Sequence, residues 1–205
     1  MTFDNPKTEL IHFHRQRQTP ECPVTLPNGT VIRPSPVVRW LSVLFDRKLS
    51  FKPHVDRRVL SASRALQAIS RLKTSEWGLS SQHLRQLYTC CVTPSLDYGA
   101  EAWWRGQQGY IDKLQKLQNI ACRNILGAFQ TSPTIPMELE AFLPPPEIRL
   151  QYTSRKYALR TMTLPEHHPI RLRTSSTFPP EYTSRIEVVT PVMLASILLG
   201  IEGKS

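Results

Sequence analysis

The sequence predicts an α+β protein: a small antiparallel β element at the N-terminus, an all-α helical bundle after it, and an irregular Pro-rich tail. Three observations carry this. Runs rich in β-branched and alternating residues, punctuated by Pro, Asn and Gly, are confined to residues 8–45. A helical period takes over at residue 54 and recurs to residue 162. From Pro165 onward Pro, Ser and Thr dominate. The chain accordingly divides into 1–52, 53–164 and 165–205.

The β element begins with T-E-L-I-H-F-H at 8–14, which alternates as a strand does. His12 and His14 share a face there. With no carboxylate or cysteine at useful spacing, a half-exposed strand face explains them better than a metal pair. Asn28-Gly29, between V-T-L and T-V-I, marks a hairpin with a tight two-residue turn at positive φ. The apolar run from Val37 to Phe45 reads as a buried strand, ending at Asp46-Arg47-Lys48.

Residues 54–73 carry the clearest helical period. At about 100° per residue, Val55, Val59, Ala62, Leu66 and Ile69 fall within roughly 80° of one another. Arg57, Arg64 and Arg71 recur every seven residues, so they drift by only about 20° per step on the opposite face. Residues 51–75 hold Lys52, Arg57, Arg58, Arg64, Arg71 and Lys73 against Asp56 alone. That +5 is half of the net charge of +10, and acids that would form i,i+4 pairs are missing. Such a row of guanidiniums suits phosphates along a groove. The other reading is a solvated polar face.

Further helices are expected at 80–92, with Ser80 or Ser81 as N-cap and Leu84, Leu87, Tyr88 and Cys91 inward. A helix opened by Pro94 should run through Trp104. Its aromatics Tyr98, Trp103 and Trp104 are read as core more readily than as base-stacking platforms. Tyr110 to Leu126 is a long helix ended by Gly127, with Ile111, Leu114, Leu117, Ala121 and Ile125 inward. Residues 133–142 give a short helix, and 147–162 a basic amphipathic one.

The positive balance favours an anionic partner, nucleic acid before an anionic membrane. The four cysteines show no C-x-x-C spacing, which points to a reducing, intracellular compartment, nuclear or cytoplasmic. The N-terminus has no apolar signal segment. The longest apolar stretch, 188–201, is too short and too broken to span a bilayer. No catalytic or metal-ligating set emerges. The aspartates Asp4, Asp46, Asp56, Asp97 and Asp112 do not cluster, whereas a two-metal site needs carboxylates that hold cations about 4 Å apart.

Several fragments, in order, resemble one family. They are Asn5-Pro6-Lys7-Thr8-Glu9-Leu10-Ile11-His12-Phe13; then Arg39-Trp40-Leu41-Ser42-Val43 with Asp46, Leu49-Ser50-Phe51 and His54-Val55; then Pro94 to Trp103 and Cys122 to Phe129. The second is similar to a motif usually written W-L-G-x-x-x-D-x-x-L-x-F-x-x-H. The family is that of non-LTR (LINE-type) retrotransposon reverse transcriptases, with fungal elements most alike. The resemblance covers residues 5–170 and implies the end of the palm followed by thumb and connector.

It implies further that Lys7 matches the palm lysine and that 37–51 is a primer-grip-like strand pair carrying Trp40, Leu41 and Ser42. The helix at 54–73 becomes the thumb helix that lies along a template–primer duplex. Ser42 stands where the family has glycine. The family's F/Y-x-D-D aspartates and their Mg²⁺ are expected upstream of Lys7, in a part of the polymerase that this chain would need as a partner. The expectation is thus a fragment that binds RNA–DNA or DNA duplex through Arg57, Arg58, Arg64, Arg71 and Lys73, binds no cofactor itself, and does not polymerise alone. The alternative is a basic helical protein-interaction module with no nucleic-acid role.

Overall fold

The computed structural model describes residues 8–14, 22–73 and 78–172; Lys7 and the tail beyond residue 172 lie outside them. Among the described residues the fold is α+β, with two small antiparallel sheets followed by seven α-helices. The chain divides into two compact units, Met1–Arg57 and Arg58–Ser205.

In the first unit β1 (Val24–Thr25) pairs with β2 (Val31–Ile32), Val24 opposite Ile32. The expected hairpin is present, but its loop has three residues rather than two. The Leu26 N–H donates to the Thr30 carbonyl across Pro27-Asn28-Gly29. In a two-residue loop Pro27 would have to pair within the ladder, and it has no N–H to give. It moves into the loop instead, and Gly29 closes the turn at φ 82°. Residues 8–14 make only one parallel bridge, Leu10 to Pro34, rather than a strand. A proline at the pairing position stops the ladder from extending.

The run from Val37 is not one buried strand. It folds as β3 (Val37–Trp40) and β4 (Val43–Asp46), paired antiparallel and mostly half-exposed. Helix α1 (Lys52–Ser70) follows. Val55 is buried in the first unit, and Ala62, Leu66 and Ile69 in the second, as the period requires.

The second unit continues with α2 (Ser81–Leu87), a π-helical segment Tyr88–Val92, and α3 (Thr93–Leu96). Ser80 caps α2, its hydroxyl accepting the His83 N–H. Leu84 and Tyr88 are buried as expected, but Cys91 is exposed and Val92 takes its place. The π turn adds a residue to its loop of backbone, so the inward phase slips from 91 to 92. The helix opened by Pro94 also stops early. Gly99 at φ 68° breaks it, and α4 (Ala100–Trp103) begins anew. Trp103 and Trp104 are core residues, ring centroids 6.3 Å apart, while Tyr98 remains at the surface.

Helix α5 (Gln108–Leu126) ends at Gly127, whose N–H donates to the Arg123 carbonyl from φ 69°. Its whole expected stripe is buried. Helices α6 (Thr134–Glu140) and α7 (Pro146–Met162) complete the unit. The four cysteines are all free thiols, and burial pushes that of Cys122 up to about 11.

One polar side chain sits inside this bundle. Gln118, on α5, is fully buried. Its Nε2 donates to Glu138 Oε1 at 2.7 Å and to the Pro144 carbonyl at 3.0 Å. Its Oε1 accepts Arg149 Nη1–H at 2.9 Å and, more weakly, the Tyr88 hydroxyl at 3.4 Å. Every position of the amide is therefore used. Arg149 also grips the Asp97 carboxylate through Nε and Nη2. Burial raises the Asp97 pKa, and the guanidinium opposes that rise without cancelling it.

Replacing Gln118 by Leu keeps the volume but strands the Pro144 carbonyl and one arm of Arg149, and leaves Glu138 Oε1 with Gln115 Nε2 at 2.7 Å as its remaining donor. The expected loss is about 3 kcal/mol, from polar groups left unsatisfied at roughly 1–3 kcal/mol each. Urea denaturation followed by circular dichroism measures it; a midpoint unchanged from the parent would show the network to be dispensable.

Candidate nucleic-acid interface

The motif from Trp40 to His54 is a hairpin-to-helix junction, and most of its residues build rather than touch. β3 and β4 run in register from Val37–Asp46 to Trp40–Val43, leaving a two-residue loop, Leu41-Ser42. Both loop residues have positive φ, 46° and 64°. That matches the twist of a right-handed hairpin but is strained for side chains bearing a Cβ. Arg39 Nη2 donates to Ser42 Oγ at 3.2 Å and steadies the loop. Trp40 and Leu41 are 65% and 72% exposed at this tip, with the Trp40 ring 6.1 Å from Phe45.

Asp46 then shapes the descent into α1. Its Oδ2 accepts the Ser50 N–H at 3.1 Å and the Ser50 hydroxyl at 2.8 Å, and its Oδ1 accepts the Phe51 N–H at 2.6 Å. The loop so fixed puts Leu49 and Phe51 at positive φ, 52° and 59°. Phe51 is driven into the core, edge-on to Phe45 at 5.5 Å. Its carbonyl accepts the Val55 N–H and starts the helix. His54 is fully buried, and its Nδ1 accepts the Leu44 N–H at 3.3 Å, which places the ring proton on Nε2 and ties β4 to the first helical turn.

Helix α1 carries the arginine row. Arg57, Arg64 and Arg71 are exposed, and so is Lys73 just past the helix end. Among the described residues no carboxylate lies within ion-pair distance of those three arginines. At a rise of about 1.5 Å per residue, they recur roughly every 10 Å along the helix. Arg58 is placed differently: its guanidinium lies 4.2 Å from the centre of the Tyr98 ring, a cation–π contact. The Lys73 ammonium sits 3.6 Å from where a side chain at Gly127 would begin, beside the carbonyl end of α5, where a cation is favoured.

Between α1 and α5 the second unit has an open groove of about 370 Å³. Leu66, Leu117 and Ile120 form part of its floor, and Lys113 and Lys116 stand on its α5 side. The two lysines were missed at the level of sequence. An i,i+3 pair beside a half-exposed Ile120 was the available signal, but it lies next to a buried stripe and reads as ordinary helix surface. Elsewhere, His12 Nε2 is 3.0 Å from the Cys22 carbonyl. Among the described residues no three His, Cys, Asp or Glu side chains gather to hold a metal ion, and no helix is long and apolar enough to cross a membrane.

Two substitutions separate strain from support at the junction. Ser42→Gly relieves one left-handed residue and should stabilise the hairpin by about 1 kcal/mol, the scale of that conformational penalty. Asp46→Ala removes three bonds to a carboxylate and should destabilise it by about 2–3 kcal/mol. Amide hydrogen exchange over residues 37–55 reports both; slower exchange in the first and faster in the second is the expected pattern, and the reverse would refute this account.

Comparison with known proteins finds relatives at low identity. The RNA-directed DNA polymerase from mobile element jockey of Drosophila melanogaster is 25% identical over 170 residues, covering 83% of this chain and 19% of the relative. Its counterpart in Drosophila funebris is 24% identical over 152 residues, 74% of this chain and 17% of the relative. The probable RNA-directed DNA polymerase from transposon X-element of Drosophila melanogaster is 29% identical over 126 residues, 61% of this chain and 14% of the relative. The chain thus spans less than a fifth of these relatives. No family model and no solved structure matches. The expected likeness to fungal elements finds no support, since these relatives are from flies. What the chain resembles, over most of its length, is the RNA-directed DNA polymerase of a non-LTR retrotransposon.

Proposed function

We propose that this reverse-transcriptase-like chain grips nucleic acid rather than transforming it, with α1 lying along a template–primer duplex. The observation that carries the reading is the row of Arg57, Arg64 and Arg71: exposed, seven residues apart, and without a carboxylate partner among the described residues. Guanidiniums in that state are open to bidentate bonds with phosphate oxygens. Lys73 extends the row at its far end. Arg58, held over Tyr98, contributes charge rather than a freely placed fork. The Trp40-Leu41-Ser42 tip presents an aromatic and an apolar surface to a primer end, and Lys7 belongs to the same reading as the match to the palm lysine.

Catalysis is left to the rest of a polymerase, the partner this reading requires. The chain by itself is expected to incorporate no nucleotide when supplied with Mg²⁺, primer and template.

Fluorescence anisotropy with an RNA–DNA duplex tests the grip. Each phosphate neutralised adds about −0.9 to the slope of log affinity against log salt. Arg57→Gln, Arg64→Gln and Arg71→Gln together should therefore flatten that slope by about 3 and weaken low-salt binding at least tenfold, with helicity retained. Binding of the parent that ignores salt, or a triple variant indistinguishable from it, would leave the protein-interaction reading in place of this one.

A further inference from the structure

We infer that the groove between α1 and α5 holds the sugar–phosphate backbone of a single polynucleotide strand. The inference rests on the nucleic-acid reading above and names a second place on the molecule where that ligand is held. The groove lies within the second unit and differs from the arginine row in kind. On α1 the arginines at 64 and 71 fall about 40–120° around the helix from Ser63, Gln67 and Ser70, which line the groove. The row is thus a neighbouring face, not the groove itself.

The lining has the chemistry of a strand. Lys113, Lys116, Leu117, Ile120 and Asn124 fall at i, i+3, i+4, i+7 and i+11, one face of α5. The lysines supply two positive charges, and no described residue of the lining is acidic. Ser63, Gln67 and Ser70 opposite them offer hydroxyl and amide groups to phosphate and sugar oxygens. Below runs an apolar floor in which Ile120 is 53% exposed. A purely anionic ligand has no use for that floor, whereas a nucleotide sets an apolar sugar edge and a base face beside each phosphate. A groove of about 370 Å³ admits a strand's backbone and not the full width of a duplex.

The test uses the full chain with a single-stranded oligonucleotide, an RNA–DNA duplex and heparin, all by anisotropy. Lys113→Gln with Lys116→Gln should weaken the oligonucleotide at least fivefold. Ile120→Ser, a change at an exposed position with no change of charge, should weaken the oligonucleotide at least threefold and leave heparin unchanged. Melting followed by circular dichroism confirms that both variants fold. Oligonucleotide affinity unaffected by either variant, while the triple arginine variant loses the duplex, overturns the groove and spares the grip by α1. A heparin loss equal to the oligonucleotide loss in Ile120→Ser also overturns it. Parent protein that binds neither nucleic acid overturns both readings.

Discussion

The second unit depends on one amide. A buried polar group costs free energy unless hydrogen-bonded, and Gln118 is fully buried. Its donors reach α6 and the Pro144 carbonyl; its acceptor takes α7 and the π-helical segment. A single side chain on α5 therefore specifies where three other elements can sit. Apolar packing alone would tolerate several rotations of short helices such as α6. The directional bonds at Gln118, extended through Arg149 to Asp97, select one. This also fixes the α5 face that carries Lys113, Lys116 and Ile120, because the buried and exposed stripes of one helix turn together.

The sequence made the helices legible and hid what joins them. Periodicity located α1, α5 and α7 to within two residues at each start, since long amphipathic helices repeat their signal many times. It failed where one residue changes the geometry. The π turn at Tyr88–Val92 carries no composition signal, yet it moves Cys91 out and Val92 in. Val37 to Phe45 looked like one strand because its hairpin loop is Leu-Ser, neither of which announces positive φ. Gln118, Glu138 and Arg149 carry no sequence signal for burial, since polar side chains usually lie at the surface. Nothing local tells that they meet one another.

The candidate site was legible in a different proportion. The arginine row could be read directly, because a seven-residue recurrence of one charged type with no opposite charges needs no tertiary information. What the sequence could not give is which basic residues have other work. Arg58 stacks on Tyr98, forty positions along the chain, and Lys73 lies by the end of α5. Composition counts both as part of the same positive stretch; geometry separates Arg58 from the row and leaves Lys73 at its far end.

The Trp40-to-His54 motif shows why a resemblance can persist at low identity. Asp46, Phe51 and His54 hardly face solvent as reagents; together they convert a hairpin into a helix start within a few residues. Asp46 satisfies the loop's N–H groups, Phe51 anchors it in the core, and His54 ties the strand to the helix. Removing any one of them leaves a buried donor unpaired or a cavity, so these positions tolerate little change. Trp40 and Leu41, exposed, and the half-buried Ser42 obey a different constraint, sitting at a loop that backbone strain would rather fill with glycine. The motif is therefore two things in one stretch: a scaffold whose residues are dictated by folding, and a tip whose residues folding does not require.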